Sequence, residues 1–493
     1  MASAPRRGAA ATLWIVCAAL VAFGGSLFSA FHLDDYGMLQ DPAIVLPGGW
    51  VRCFGLLQTR PLTWFTFWAN YQLSGRDPLL WHAVNLVLHA CCAVVLYRVL
   101  NRLLPRAALL AALLFAVHPM QAESVDYVYA RAILLCTLFS LFALDAWIRE
   151  RYWIAVSWFA LALLSKEECV TLPLALACVT GLRLSKARLA ALAAMLGLAL
   201  LAGIRVIAAI QISGVKNIGP SAGITPLHYL SQQGIAILRY FGLLIFPWSF
   251  TVDPQIPDPA LIWRLLAWLV LLSLIGVAVM RWRDTKAAAW ILAGFLLLIP
   301  SSSIFPAADL AADRRMYLPM LAFAPVIALI LPRKRTILLL PCLLVALAME
   351  RTYVWSSDAR LWSEAVELAP EKLRPRLQLS RVVPPEQALQ VLREAETFAP
   401  QAPEVPTELA RVYLDLHRPA EALAQAGRAL ALTPREPHAL NNRGVVLLAM
   451  NQTAAARRDF LAALQLDSCL VEARDNLQRS GGIPADAPHC TGH

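Results

Sequence analysis

None of the ten cysteines stands in a Cys-x-x-Cys spacing, which removes the common zinc and thiol-exchange motifs. A Gly-rich phosphate loop, a metal-ligand spacing and a nucleophile elbow are missing too, so ATP hydrolysis and serine-hydrolase chemistry have no motif to rest on. Charge is scarce. Only 15% of the 493 residues are charged against 59% hydrophobic, and mean hydropathy is +0.58. A soluble chain is excluded, and the apolar stretches, about 17–22 residues each, are of bilayer-spanning length. The reading is a polytopic, all-α membrane protein, long enough for at least two domains. The formal charge of +10 is unevenly placed: residues 1–350 hold 27 Lys+Arg against 16 Asp+Glu, residues 351–493 hold 16 against 17. The basic excess thus belongs to the membrane half, where it sets topology. It does not point to nucleic acid.

Most cysteines (Cys17, Cys91, Cys92, Cys136, Cys178, Cys342) lie within apolar segments as small hydrophobes. Cys469 and Cys490 could pair in an oxidising compartment. Leu13 to Phe31 is longer than a signal-peptide core and reads as a retained first helix. Basic clusters punctuate the membrane half: Arg6-Arg7; Arg98, Arg102 and Arg106; Arg149 and Arg151; Arg183, Lys186 and Arg188; Arg281, Arg283 and Lys286; Arg333-Lys334-Arg335. If all are cytoplasmic, spans between them come in pairs. Helices are then expected near 12–31, 79–100, 107–118, 131–148, 152–165, 168–183, 189–210, 261–280, 287–304, 316–332 and 337–354. That is about eleven spans, with the N-terminus inside and the C-terminus outside. Residues 228–247, with His228, Gln232, Gln233 and Arg239, read as a re-entrant or interfacial helix on the outer side.

From Trp355 onward the apolar runs shorten and alanine becomes dense. Ala-Pro at 399–400, Thr-Pro at 433–434 and Leu-Asp at 466–467 close successive units 34 and 33 residues apart; Ala-Pro at 369–370 precedes the first by 30, as a shortened unit would. Small residues recurring at 34 are the tetratricopeptide signature, an α-solenoid in which each repeat buries its face on the next. The expected domains are a membrane domain (1–354), a repeat domain (355–479) and a disordered Gly/Pro-rich tail (480–493).

The acids Asp34-Asp35 follow the first apolar run at the water interface. The loops expected on that side also carry His118, Glu123, Arg131, Lys166, Glu167, Asp309, Asp313, Arg314 and Arg315. Each has a plain reading: basic residues snorkel at helix ends, His118-Pro119 stops a helix, Glu123 pairs with Arg131. Together they supply carboxylates to take a proton and cations to hold a phosphate. That suits group transfer from a lipid phosphate. Aromatics Trp64, Phe65, Phe67, Trp68 and Tyr71 mark helices lying flat in the interface.

Ordered blocks carry a resemblance: FHLDDY (31–36), RPLTWFTFWANY (60–71), WHAVNLVLH (81–89), FAVHPMQAESVDYVYAR (115–131), LLSKEECVTLP (163–173) and PSSSIFPAADLAADRRMYLP (300–319), with the repeats behind them. Over about residues 28–475 the chain resembles the transmembrane and tetratricopeptide-repeat O-mannosyltransferases, and more widely the GT-C glycosyltransferases that use polyprenyl-phosphate sugars. The resemblance implies inverting transfer with Asp34 as general base and Asp35 supporting it. Arg131, Arg314 or Arg315, and Lys166 would neutralise the departing polyprenyl phosphate, Arg through its planar fork. Arg60, His118, Glu123, Glu167 and Asp313 would support them, Asp313 standing where relatives usually carry Glu. Phosphate-monoester users commonly bind no divalent ion, so neither metal nor cofactor is expected; the lipid-linked sugar is a substrate.

The resemblance therefore implies movement of a sugar, mannose in that family, to Ser/Thr of an exported protein held by the repeats. A lipid or glycan acceptor, and a non-catalytic envelope scaffold, are the alternatives. The Ala/Arg/Leu-rich composition looks bacterial, giving an inner-membrane protein with a periplasmic site; in a eukaryote it would face the endoplasmic reticulum lumen.

Overall fold

The computed structural model describes residues 4–55, 57–181, 185–213, 224–303, 306–307, 309–332, 337, 339–485 and 487–490. Arg183 and Arg333-Lys334-Arg335 of the basic clusters lie outside them. The described residues form helices and connections without a β-strand. They divide into two compact units, Met1–Leu361 and Trp362–His493.

In the first unit a helix overlaps every segment expected to span. Among the described residues five are long and apolar enough to cross a bilayer: Gly8–Phe28, Pro78–Leu103, Val128–Ile148, Lys186–Ile212 and Leu261–Met280. The number reaches seven if two bent pairs each count as one span. Tyr152–Ser165, Lys286–Leu298 and Met320–Ile330 are shorter apolar helices. Helix starts are written locally: Asp77 caps Pro78–Leu103 by accepting from Leu79 N–H, and Thr225 caps Pro226–Ile245 by accepting from His228 N–H. Each precedes a proline, whose fixed φ and missing N–H suit a first helical position. Small residues allow close packing, most visibly at Gly294, where a Cβ would stand 2.6 Å from the Phe323 ring.

Pro226–Ile245 is not among the helices apolar enough to span. One face is pinned to the 309–315 segment: Gln233 donates to Leu310 O (3.0 Å), and the Tyr240 hydroxyl donates to Ala312 O (3.1 Å) while accepting from Ala312 N–H (2.9 Å). Its polar residues thus hold the loop that carries Arg314.

The second unit is a stack of helix pairs. Ala388, Ala422 and Ala456 recur every 34 residues, as do Ala395, Ala429 and Ala463, and all are buried. The period therefore runs through the unit that turn spacing alone marks as shortened. Gly444 admits Phe460 at a distance no Cβ would tolerate (2.5 Å), and Arg443 grips Asp459 with both arms of its guanidinium (2.7 and 2.8 Å). The tail differs from its compositional reading. Cys490 is disulfide-bonded to Cys469, and Arg474 donates to Pro488 O. A covalent link and a charged donor thus hold the described tail residues Pro488 and Cys490.

Candidate active site

The chain leaves the first helix through a tight turn at His32–Asp35, closed by Asp35 N–H donating to His32 O (2.9 Å). Leu33 sits at φ +50°, ψ −119°, a conformation that favours glycine and costs a branched residue about 1–3 kcal/mol. Beyond it the two acids part. Asp35 is fully buried and accepts from His32 N–H (3.0 Å) and Tyr129 N–H (2.8 Å). Asp34 is exposed. Its Oδ2 accepts from the Tyr127 hydroxyl (2.7 Å), which in turn accepts from Asp34 N–H (3.1 Å). Asp34 Oδ1 has no partner among the described residues. Asp35 anchors the turn; Asp34 presents an open carboxylate oxygen.

Burial pushes the Asp35 carboxyl from its ordinary 3.8 up to about 7, against the lowering effect of the His32 N–H, the His32 charge and the Tyr129 N–H. Because the folded value is the higher one, the proton-linked stability is fully present below about pH 4 and lost as pH rises through 7. A shift of this size corresponds to about 4 kcal/mol. Melting of wild type and Asp35→Asn at pH 5 and pH 8 checks this: wild type should lose stability between the two relative to the variant.

Tyr127 and Tyr129 link the acids to two ion pairs. Burial, then Asp35 and Asp34, push the Tyr127 phenol far up, so it remains a donor; it also lies within electrostatic range of Arg314. Tyr129 is within range of Asp34, Asp35, Arg60 and Glu167. Arg314 holds Glu123, which is 5% exposed, through its side chain and its backbone N–H (2.8 Å to Oε2), with Asp309 at 3.8 Å. Burial works against the Arg314 charge, but Glu123 and Asp309 more than offset it and raise its pKa. Arg60 is bidentate to Glu167 (3.1 and 2.6 Å). Against the effect of burial, Arg60 draws the Glu167 carboxyl down to about 2. Lys166 pairs with Glu168 at 2.7 Å.

Arg131 is elsewhere, contrary to the sequence expectation. It is fully buried, donating to Asn85 Oδ1 (2.9 Å), Asn70 Oδ1 (2.8 Å), Trp81 O (3.1 Å) and Thr66 O (3.3 Å), between the rings of Phe67 and Trp81. With its fork so engaged it has no face for a phosphate, and it does not pair with Glu123. Arg131→Met should destabilise by about 3–5 kcal/mol by orphaning these acceptors, and Lys should not rescue it for want of a fork; folded yield and melting in detergent report both.

Arg315 is likewise engaged, with Tyr229 OH (3.2 Å), Leu310 O (3.1 Å) and Asp309 O (2.7 Å). Asp313 accepts from Arg239 (2.7 Å) and ties its loop to Pro226–Ile245. His118 is a cap: its Nδ1 accepts from Met120 N–H (3.1 Å) and its Nε2 donates to Leu244 O (3.3 Å). Of the expected cations, Arg314 is the accessible one near Asp34, and Arg60, expected only in support, is the second, their side chains 28% and 29% exposed. Sequence reasoning missed His32, Tyr127, Tyr129 and Asp358, although the first three lie in the quoted blocks. Among the described residues no three His, Cys, Asp or Glu side chains converge as a metal-ligand set.

A cavity of about 260 Å³ opens beside Arg60 and Glu167, between Tyr152–Ser165 and Lys186–Ser213. Leu163, Leu164, Leu198 and Leu201 wall it, and Glu167 and Arg205 stand among them as its charged residues.

No family model matches the sequence. Among curated proteins the chain is similar to the transmembrane and tetratricopeptide-repeat O-mannosyltransferases. It is 27% identical over 350 residues to Protein O-mannosyl-transferase F38B6.6 of Caenorhabditis elegans, covering 66% of this chain and 51% of that protein. It is 38% identical over 142 residues to Protein O-mannosyl-transferase TMTC4 of Homo sapiens, covering 23% and 19%. To Protein O-mannosyl-transferase TMTC3 of Homo sapiens it is 23% identical, covering 92% and 64%. The chain spans about half the length of the first of these relatives and about a fifth of the second. Solved structures that overlap it include the Cut9–Hcn1 hetero-tetramer of the APC/C (14% identity, 85% and 89% covered, TM-score 0.25) and yeast Tom70 (13%, 81% and 88%, TM-score 0.24). Overlap that low bears on neither fold nor function.

Proposed function

We propose that this chain is an inverting membrane glycosyltransferase that moves a sugar, mannose by resemblance, from a polyprenyl phosphate to Ser/Thr hydroxyls of an exported protein presented by the repeats. The observation that carries the reading is the exposed Asp34, its open oxygen set by Tyr127 beside Arg314. Asp34 takes the proton as the acceptor oxygen attacks the anomeric carbon. The bond from that carbon to the phosphate oxygen breaks, and the phosphate leaves with the electron pair. Arg314 and Arg60 neutralise the charge it gains; fixed cations facing developing charge are a large catalytic term. The apolar cavity beside Arg60 has the chemistry of an isoprenoid site. The names of the relatives support the transfer and the mannose.

In this reading the eleven apolar segments span the membrane, and the site and repeats face the periplasm, or the reticulum lumen in a eukaryote. The Cys469–Cys490 disulfide supports an outer position for the repeats, since such bonds persist in oxidising compartments. No resident metal is assigned, because the arginines supply the cationic charge. Transfer should therefore survive EDTA; its loss on chelation with recovery on adding a divalent ion would overturn that assignment. The cellular test is glycoproteomics of exported proteins from cells carrying Asp34→Asn. Ser/Thr hexose should disappear from a defined set of peptides, and an unchanged set would count against the proposal.

A further inference from the structure

The segment that follows the last apolar helix of the membrane unit turns back onto the loop that carries Asp34. Leu339–Val354 ends, the chain bends by 108°, and Asp358–Leu368 begins. Two residues of this elbow, Trp355 and Asp358, belong to the first unit, and both reach the turn. Asp358 Oδ1 accepts from His32 Nδ1–H at 2.6 Å, and its Oδ2 accepts from the Tyr36 hydroxyl at 3.1 Å. Trp355 is fully buried; it meets the His32 ring edge-on (centroids 5.7 Å apart) and stacks on Tyr127 (6.0 Å, 22° between planes). Tyr127 is the donor to Asp34. Each of the three side chains that frame the turn, His32, Tyr36 and Tyr127, is therefore held by the elbow.

The turn needs such support. Leu33 occupies a conformation that favours glycine, and backbone strain persists only where the surroundings over-determine it. His32 is itself a costly choice. Its ring is fully buried and its Nε2 has no hydrogen-bond partner among the described residues, a loss that an apolar residue would avoid. What an apolar residue would not supply is the bond to Asp358.

We propose that the Trp355–Asp358 elbow clamps the strained Leu33 turn, making His32 and Asp358 positioning residues for the Asp34 carboxylate. The clamp is a statement about structure. Its effect on catalysis rests on the transferase reading.

The test uses full-length protein in nanodiscs with two readouts. Hydrogen exchange of residues 31–38 reads the turn without reference to activity. In Asp358→Asn and His32→Gln it should quicken by about tenfold, the loss of one charge-assisted bond. Unchanged exchange in both would overturn the clamp. Tyr36→Phe, at a half-exposed position that threatens no core, should quicken the same segment about two- to fivefold; no change there would count against the clamp should the other variants fail to fold. Transfer kinetics are the second readout. Asp358→Asn should lower kcat about 10- to 100-fold with KM for the lipid donor unchanged, a misplaced group being costly at this scale. The double variant Asp358→Asn/His32→Gln should fall no further than either single change, because both act through one contact. Adding Leu33→Gly should return most of the lost kcat, since glycine holds a positive φ without strain. An additive double variant, or no recovery with Leu33→Gly, would overturn the positioning role. A wild type that transfers nothing would remove the transferase reading and leave the exchange arm to decide the clamp alone.

Discussion

Replacing Asp34 with Asn is expected to slow transfer by about 10²–10⁴-fold, the usual contribution of a positioned general base. The fold should survive. The Tyr127 hydroxyl can still donate to an amide oxygen, and the bonds that close the turn belong to the backbone and to Asp35. KM for the lipid donor should change little, because the carboxylate acts on the acceptor. Tyr127→Phe should also lower kcat, by less, since it frees the carboxylate to rotate without removing it. Steady-state transfer by purified variants, with melting as the folding control, separates these effects. Equal rates for wild type and Asp34→Asn would take Asp34 out of the mechanism.

The second large effect is expected at Arg314, and it has two parts. Arg314→Gln leaves Glu123, 5% exposed, without its counter-ion. Breaking a buried pair on one side costs about 3–5 kcal/mol. It also removes an accessible cation in electrostatic range of Tyr127, the donor to Asp34, for which a loss of about 10²–10³ in kcat is expected. The double variant Glu123→Gln/Arg314→Gln divides the two. Two amides can bond each other, so stability should return while transfer stays low. If transfer returned together with stability, Arg314 would be a structural residue and the leaving phosphate would need another partner.

How much of this was legible in the sequence differs between levels. Hydropathy located the helices because lipid-facing surface must be apolar along a whole span, as in Leu261–Met280. The 34-residue spacing of Ala388, Ala422 and Ala456 is the sequence image of helices packing at one repeated crossing. The polar blocks marked residues that meet in the fold, as Glu123 meets Arg314 and Arg60 meets Glu167, since charge rarely enters such helices without a task. Roles within the neighbourhood were less legible. Arg131 and Arg314 both follow an acid by eight residues or fewer in polar blocks, yet one is a buried structural fork and the other meets solvent. That difference is made by Asn70 from one helix and by Asn85 and Trp81 from the next. Asp34 and Asp35 are adjacent in sequence and opposite in environment because one tight turn sends their side chains apart. The His32–Asp358 contact joins residues 326 positions apart. No local pattern records it.

Transfer from a lipid-linked sugar can be read directly with purified protein. Purified wild-type protein in nanodiscs is given radiolabelled polyprenyl-phosphate mannose or a nucleotide-activated mannose, each with a pool of exported proteins. Label on Ser/Thr is expected from the lipid donor alone, with polyprenyl phosphate released in equal amount. Label from the nucleotide sugar, or none from the lipid donor by protein that is folded and supplied with acceptor, would contradict it.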